Sequence, residues 1–302
     1  MFAIATTVAA AITYNKAMAA RRAAATFMLE QALQAGMAAE ALAAIVLEDN
    51  GSSNKTQLND TWAEPVGPLE IEGTGVWIQA QLEDLTARFN LNSVVSMQPP
   101  PLNTYKIDQH QVDVFQELLR SLDIDLRYSE LLVDWIDPDS VPESQGGEDT
   151  MYLTQIPPYR PPNTFITHTS ELLALPGFGA ENYAKIAPFV TALPNDEKVN
   201  TCTASGLVLD AVEGLNQQSY RSSSILEEQR KKNCFPAQQV FLDAIGNPTV
   251  KSAVQTRVQE KSSWFRLRTN IRIGTAEFVL YSVLHREANY RVRTMQRSFG
   301  SE

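Results

Sequence analysis

The opening of the chain constrains the fold more than any other segment. From Ala17 to Leu47 there is no proline and a single glycine, Gly36, and alanine dominates. Alanine is the best helix former because it loses no side-chain entropy in a helix. Phe27, Leu29, Leu33, Met37, Leu42, Ile45 and Val46 recur largely at spacings of three and four, which makes a stripe on one helix face. The helix is expected to end before the polar run Glu48-Asp49-Asn50-Gly51-Ser52-Ser53-Asn54. If it is continuous from Phe2 it covers roughly 45 residues, or about 70 Å. Such length calls for a coiled coil, a membrane span or a spine.

Met1 to Thr13 is uncharged and mostly apolar, and Lys16, Arg21 and Arg22 follow it. A membrane helix needs about 20 apolar residues, and this run is shorter. A signal peptide would place its positive charges ahead of the apolar stretch. Two readings remain: an ordinary buried helix start, or the second half of a membrane helix.

Downstream, Val76 to about Glu83 alternates, with Trp77 and Gln79 facing one way and Val76, Ile78 and Ala80 the other, as in a strand. Pro99, Pro100 and Pro101 then break the chain. Helical spacing returns from Asp108 to Trp135 and from Ser170 to Leu193. More helix is expected over Ala204 to Leu215, Ser223 to Arg230 and Ala237 to Glu260. After Glu260 the pattern alternates again: Trp264 to Ile273, Ala276 to His285 and Tyr290 to Met295 read as an antiparallel meander. Strand, helices only, then strands implies a helical insertion inside a small sheet domain, with the long helix covering the apolar face of the sheet. A length of 302 residues accommodates this as two domains, or one with a large insertion.

Composition excludes several functions. The formal net charge of −10 opposes a nucleic-acid binder, which needs a basic surface to neutralise phosphates. Three histidines and two cysteines cannot build a Cys/His zinc cluster. His110, His168 and His285 are scattered without a triad arrangement, and no G-x-S-x-G, P-loop or Rossmann fingerprint occurs, so no enzyme is expected. Pro176-Gly177-Phe178-Gly179 has the form of a helix-hairpin-helix turn. Only Lys185 stands near it, beside Glu171 and Glu181, which favours a structural turn over a phosphate grip. A helix-hairpin-helix nucleic-acid-binding protein is the alternative function.

The segment Asp137 to Asp149 is a different matter. Counting Asp137 as position one, acids stand at one, three and twelve, as in an EF-hand. Val141 and Pro142 occupy the places where that loop needs an oxygen ligand and a glycine, so it is not an EF-hand. The crowded carboxylates repel unless a cation neutralises them, and oxygen donors suit Ca²⁺. A solvated acidic loop is the competing reading. Cys202 and Cys234 are two buried thiols in a reducing compartment, or one disulfide in an oxidising one, where it would contribute about 3 kcal/mol.

Several segments taken together resemble the general secretion pathway protein K family of bacterial type II secretion systems. They are Leu85-Thr86-Ala87-Arg88-Phe89-Asn90-Leu91-Asn92, Leu132 to Asp139 with Gly147-Glu148-Asp149, Ser170-Glu171-Leu172-Leu173 with Pro176-Gly177, Ala192-Leu193-Pro194, and Val199-Asn200-Thr201 before Ala204. The resemblance implies an α+β fold: a long N-terminal helix packed on a small antiparallel pilin-type sheet, with a large all-α, SAM-like domain inserted in the sheet. The expected limits are 1–48 for the spine helix, 49–96 and 261–302 for the pilin-type domain, and 97–260 for the insertion, itself divided at about 97–195 and 196–260.

By the same resemblance the chain is a non-enzymatic minor pseudopilin. It would cap the tip of the pseudopilus with minor pseudopilins I, J and H and help start its assembly, anchored in the inner membrane with its soluble part in the periplasm. Neither nucleic acid nor a small-molecule substrate is expected. One or two structural calcium ions are implied near the acidic loop, with Asp137, Asp139, Glu148 and Asp149 as ligands; Asp134 and backbone carbonyls near Val141 are further candidates. Two departures from the family pattern stand out. Set against the family, the sequence is expected to start within the membrane helix, after the leader, and Cys202 lies where family members commonly read Asn-x-Asn-Thr-Ala, which points to a Cys202–Cys234 pair in this subgroup. The small residues Ala32, Gly36, Ala39 and Ala43 are the expected partner-binding positions, because they let a second helix approach closely.

Overall fold

The computed structural model describes residues 2–97, 105–194, 196–214, 220 and 224–300. The prolines at 99–101, the expected helix limits Leu215 and Ser223, and the division at Asn195 lie outside them. The chain forms two compact units: residues 1–52, 61–83 and 265–302, and residues 53–60 and 84–264. The passage into the second unit comes at Asp84, ahead of the expected position 97, because Phe89, Leu91, Val94 and Val95 belong to the helical core.

In the first unit, α1 runs unbroken over Phe2–Asp49. Below it lies a five-stranded sheet, in order along the sheet β1 (Val66–Ile71), β2 (Val76–Asp84), β3 (Trp264–Ile273), β4 (Ala276–Arg286) and β5 (Val292–Phe299). The β1–β2 and β4–β5 pairs are antiparallel. β3 and β4 are joined by Gly274 and Thr275 alone, a connection only a hairpin can make. β1 was not expected, since Gly67 and Pro68 interrupt its pattern and its residues are mostly exposed. Ala32, Ala35, Gly36, Ala39, Ala43 and Leu47 turn toward the sheet at spacings of three and four. They pack on Val76, Ile271 and Leu280 at one end and on Leu82, Phe265, Leu267, Leu284 and Trp62 at the other.

This corrects one expectation. Ala32, Gly36, Ala39 and Ala43 are not a free partner surface, because they are buried against the chain's own sheet. The bulkier stripe faces away: Phe27 is 61% exposed, Leu42 57% and Ile45 56%. The small-residue face wins the sheet because only it allows the helix backbone so close; a Cβ on Gly36 would lie 2.3 Å from Leu280 Cδ2.

One charge sits in that interface. Glu40 accepts hydrogen bonds from Arg297 Nη2 at 2.7 Å, Ser282 Oγ at 2.6 Å and Thr294 Oγ1 at 3.1 Å. Burial pushes its carboxyl up, but these donors and the guanidinium charge more than offset this and hold it below the usual range. The C-terminal end of α1 has no basic residue of its own. Arg286 supplies one from β4, donating to the Leu47 carbonyl at 3.1 Å with its guanidinium over Phe265.

The second unit is mainly helical: α2 (Gln109–Ser121), α3 (Tyr128–Ile136), α4 (Asp149–Tyr152), α5 (Gly179–Ile186), α6 (Gly206–Glu213), α7 (Ser224–Arg230), α8 (Gln238–Ala244) and α9 (Pro248–Gln255). The helical pattern expected over Asp108–Trp135 forms two helices, divided where Asp123 takes a left-handed φ of 55°. At the unit's margin Asp84 is buried, with neutral donors around it among the described residues. Its carboxylate accepts from Thr86 N at 2.9 Å, Thr86 Oγ1 at 2.7 Å, Ser262 Oγ at 2.5 Å, Thr203 Oγ1 at 2.6 Å and Asn200 Nδ2 at 3.3 Å. A ring of neutral donors thus ties the two chain crossings, near Asp84 and Ser262, to the Asn200–Thr203 turn.

Candidate metal centre

The acidic loop is folded around a buried aspartate. Asp134 lies on α3 with no exposed surface. It accepts from Glu143 N at 3.1 Å and Gly147 N at 2.6 Å. Gly146 allows the wrap, since a Cβ there would stand 2.0 Å from Asp134 Oδ2. Asp139 Oδ1 accepts from Val141 N at 2.8 Å, which shapes the outer turn.

The result brings together three of the four expected ligands: carboxylate oxygens of Asp137, Asp139 and Glu148 all lie within 4.8 Å of one another. Asp137 is 5% exposed and Glu148 8%, yet Asp137 Oδ1 and Glu148 Oε1 have no hydrogen-bond partner. Burial, reinforced by the neighbouring carboxylates, pushes both groups up to about 7. Asp134 is also pushed up, mainly by burial, while its two backbone donors oppose the shift. Carboxylates gathered at this spacing with orphaned buried oxygens fit a hard cation and its preference for oxygen. Asp149, the fourth expected ligand, lies outside the trio, turned toward Arg160 with Nη1 at 3.1 Å. Asp134 is better placed to position the loop than to bind, because its oxygens already hold backbone N–H groups.

Two neighbours had no signal in the sequence. Tyr152 has no exposed surface, and its hydroxyl, which has no hydrogen-bond partner, feels Asp134 and Glu148. Asn163 reaches the loop from the far end of the proline-rich link, with Nδ2 donating to the Asp139 carbonyl at 3.0 Å. Neither an apolar-periodic pattern nor a motif marks them.

Elsewhere, Cys202 and Cys234 are joined in a disulfide. Arg230, 6% exposed, braces that loop from inside, donating to the Thr201 carbonyl at 2.9 Å and the Phe235 carbonyl at 2.7 Å. Burial lowers its guanidinium to about 10. At the Pro176–Gly179 turn, Gly177 and Gly179 have φ of 81° and 72°, and Phe178 packs edge-on against Tyr128 with centroids 4.9 Å apart. The nearby Lys185 pairs with Glu181 at 3.2 Å. The short helical turn before it, Thr169–Ala174, is capped by His168 together with Glu171.

A family model for type II secretion system protein K matches residues 87–195, which hold the whole acidic loop. The type II secretion system protein K of Pseudomonas aeruginosa is 30% identical over 315 residues, covering 99% of this chain and 89% of that protein. The chain belongs to the type II secretion system protein K family. The protein K of Pectobacterium carotovorum subsp. carotovorum is 27% identical over 310 residues, covering 99% of this chain and 93% of its own. Among solved structures, the GspK-GspI-GspJ complex from enterotoxigenic Escherichia coli contains a chain with a TM-score of 0.78 and 25% identity, covering 93% of this chain and 100% of that one. As a protein K family member, the chain has its long helix, its sheet and its helical insertion in the order the resemblance implied.

Proposed function

We propose that this protein is a non-enzymatic minor pseudopilin that caps the tip of the type II secretion pseudopilus and helps start its assembly, in complex with pseudopilins I and J and then H. The observation that carries the reading is α1. Its small-residue face is used by its own sheet, and the face turned away from the sheet presents Phe27, Met37, Leu42 and Ile45 to solvent. Partner helices packing on that face would remove this apolar surface from water. A helical insertion of this bulk restricts the subunit to the end of a filament. The Escherichia coli chain it resembles is named in complex with GspI and GspJ, which supports the same partners here. Among the described residues no helix is long and apolar enough to cross a membrane, and anchoring in the inner membrane, with the remainder periplasmic, is part of the proposal.

Asp137, Asp139 and Glu148 would hold a structural calcium ion, whose charge neutralises the crowded carboxylates and fixes the loop against α3. Size-exclusion chromatography with the I and J pseudopilins tests the assembly reading. Co-elution of all three supports it, and a protein that stays monomeric in their presence contradicts it.

A further inference from the structure

The proline-rich link after α4 returns to the acidic loop at one residue. Asn163 follows Pro161-Pro162 and has a left-handed φ of 47°, a conformation that asparagine tolerates better than most residues. Its amide nitrogen donates to the Asp139 backbone carbonyl at 3.0 Å, across 24 residues of chain. Its amide oxygen, Oδ1, is buried and has no hydrogen-bond partner. The same is true of Asp137 Oδ1 and Glu148 Oε1, on side chains only 5% and 8% exposed. Three acceptor oxygens, two from the acidic loop and one from the proline-rich link, are thus left without donors.

We propose that Asn163 is a further ligand of the cation held by Asp137, Asp139 and Glu148, contributing a neutral amide oxygen. The proposal rests on the calcium reading above. A calcium ion takes about six to eight oxygens, more than these three carboxylates provide if any binds through one atom. One oxygen of Asp139 already accepts from Val141 N at 2.8 Å. With three negative charges against two positive ones, a neutral oxygen completes the shell with less repulsion than a fourth carboxylate. That accounts for Asp149 turning to Arg160 while an amide from a distant segment comes in. The ion then fastens the proline-rich link to the acidic loop, two segments otherwise joined here by the Asn163 and Arg160 contacts.

The test uses the intact chain and two probes: calorimetric titration with calcium, and Eu³⁺ in its place, with emission lifetimes in H₂O and D₂O counting the waters on the ion. Asn163→Gly keeps the left-handed backbone and deletes the amide; Asn163→Asp keeps an oxygen in the same place. Asn163→Gly is expected to bind calcium about tenfold more weakly and to gain one ion-bound water, with Asn163→Asp retaining the native count. Native affinity in Asn163→Gly, or weakened affinity with no added water, overturns the ligand role. Failure of the unmodified protein to bind either ion overturns the calcium reading itself, a separate outcome.

Discussion

Leu280 closes directly over Gly36, so that a Cβ on the glycine would come within 2.3 Å of Leu280 Cδ2. Leu280 has no exposed surface and cannot swing aside into solvent. Gly36→Leu is therefore expected to destabilise the first unit by about 2–3 kcal/mol through overpacking. Chemical denaturation reads the loss. Leu280→Ala in the same chain should restore part of it, and strictly additive losses would show that the two positions do not compete for space.

Glu40 fixes where the helix sits on the sheet. Removing its cation with Arg297→Met leaves a buried carboxylate held by two hydroxyls and is expected to cost about 2 kcal/mol, with Glu40→Gln costing less. The folded carboxyl lies below its ordinary 4.5, so its contribution is complete above that pH and is lost as the pH falls through the lower folded value. A denaturation series from neutral to acid pH checks this: Glu40→Gln should show a shallower acid loss than the unmodified protein.

The donor ring of Asp84 makes a comparable prediction in the second unit. Asp84→Ala removes the acceptor that Thr203, Ser262 and Thr86 share and should lower stability by about 3 kcal/mol. Thr203→Val removes one donor and should cost about 1 kcal/mol. Similar small losses from both substitutions, measured by urea unfolding, would contradict the central place of the carboxylate.

Calcium should invert a pH dependence. Asp137 and Glu148 are raised to about 7 from 3.8 and 4.5, so without metal the folded state holds more protons than the unfolded chain between those values. In chelator, their contribution to stability falls as pH rises from about 4 to 7. With calcium the ionised forms are the binding forms, and stability gains as pH rises over the same range. Thermal midpoints against pH in the two buffers read this directly. Asp139→Ala and Glu148→Ala should lower the midpoint with calcium and change it little with EGTA. Equal losses in both buffers would refute a metal role.

The long helix, the C-terminal meander and the acidic loop were legible because each has a period or a charge density that few other structures satisfy. The direction of the helix was not. The small residues Ala32, Gly36, Ala39 and Ala43 read as a surface for a partner helix, yet close approach to the chain's own sheet also selects residues that are small, and it leaves Phe27, Leu42 and Ile45 outside. Glu40 and Asp84 were invisible for a related reason: their donors lie far along the chain, at Arg297, Ser262 and Thr203, and only folding brings them together. Asn163 is in the same position, a lone polar residue whose meaning depends on Asp139 arriving beside it. Asp149 stands apart from the other three because proximity in sequence to Glu148 does not decide which way a side chain turns, and Arg160 offers it a counter-charge.

The central claim is that α1 gives its small-residue face to its own sheet and its bulky face to neighbouring pseudopilins. The most direct measurement is the co-elution of Leu42→Glu/Ile45→Glu with pseudopilins I and J, alongside its thermal midpoint. The account predicts an unchanged midpoint with loss of the ternary complex. A complex that survives both charges intact would contradict it.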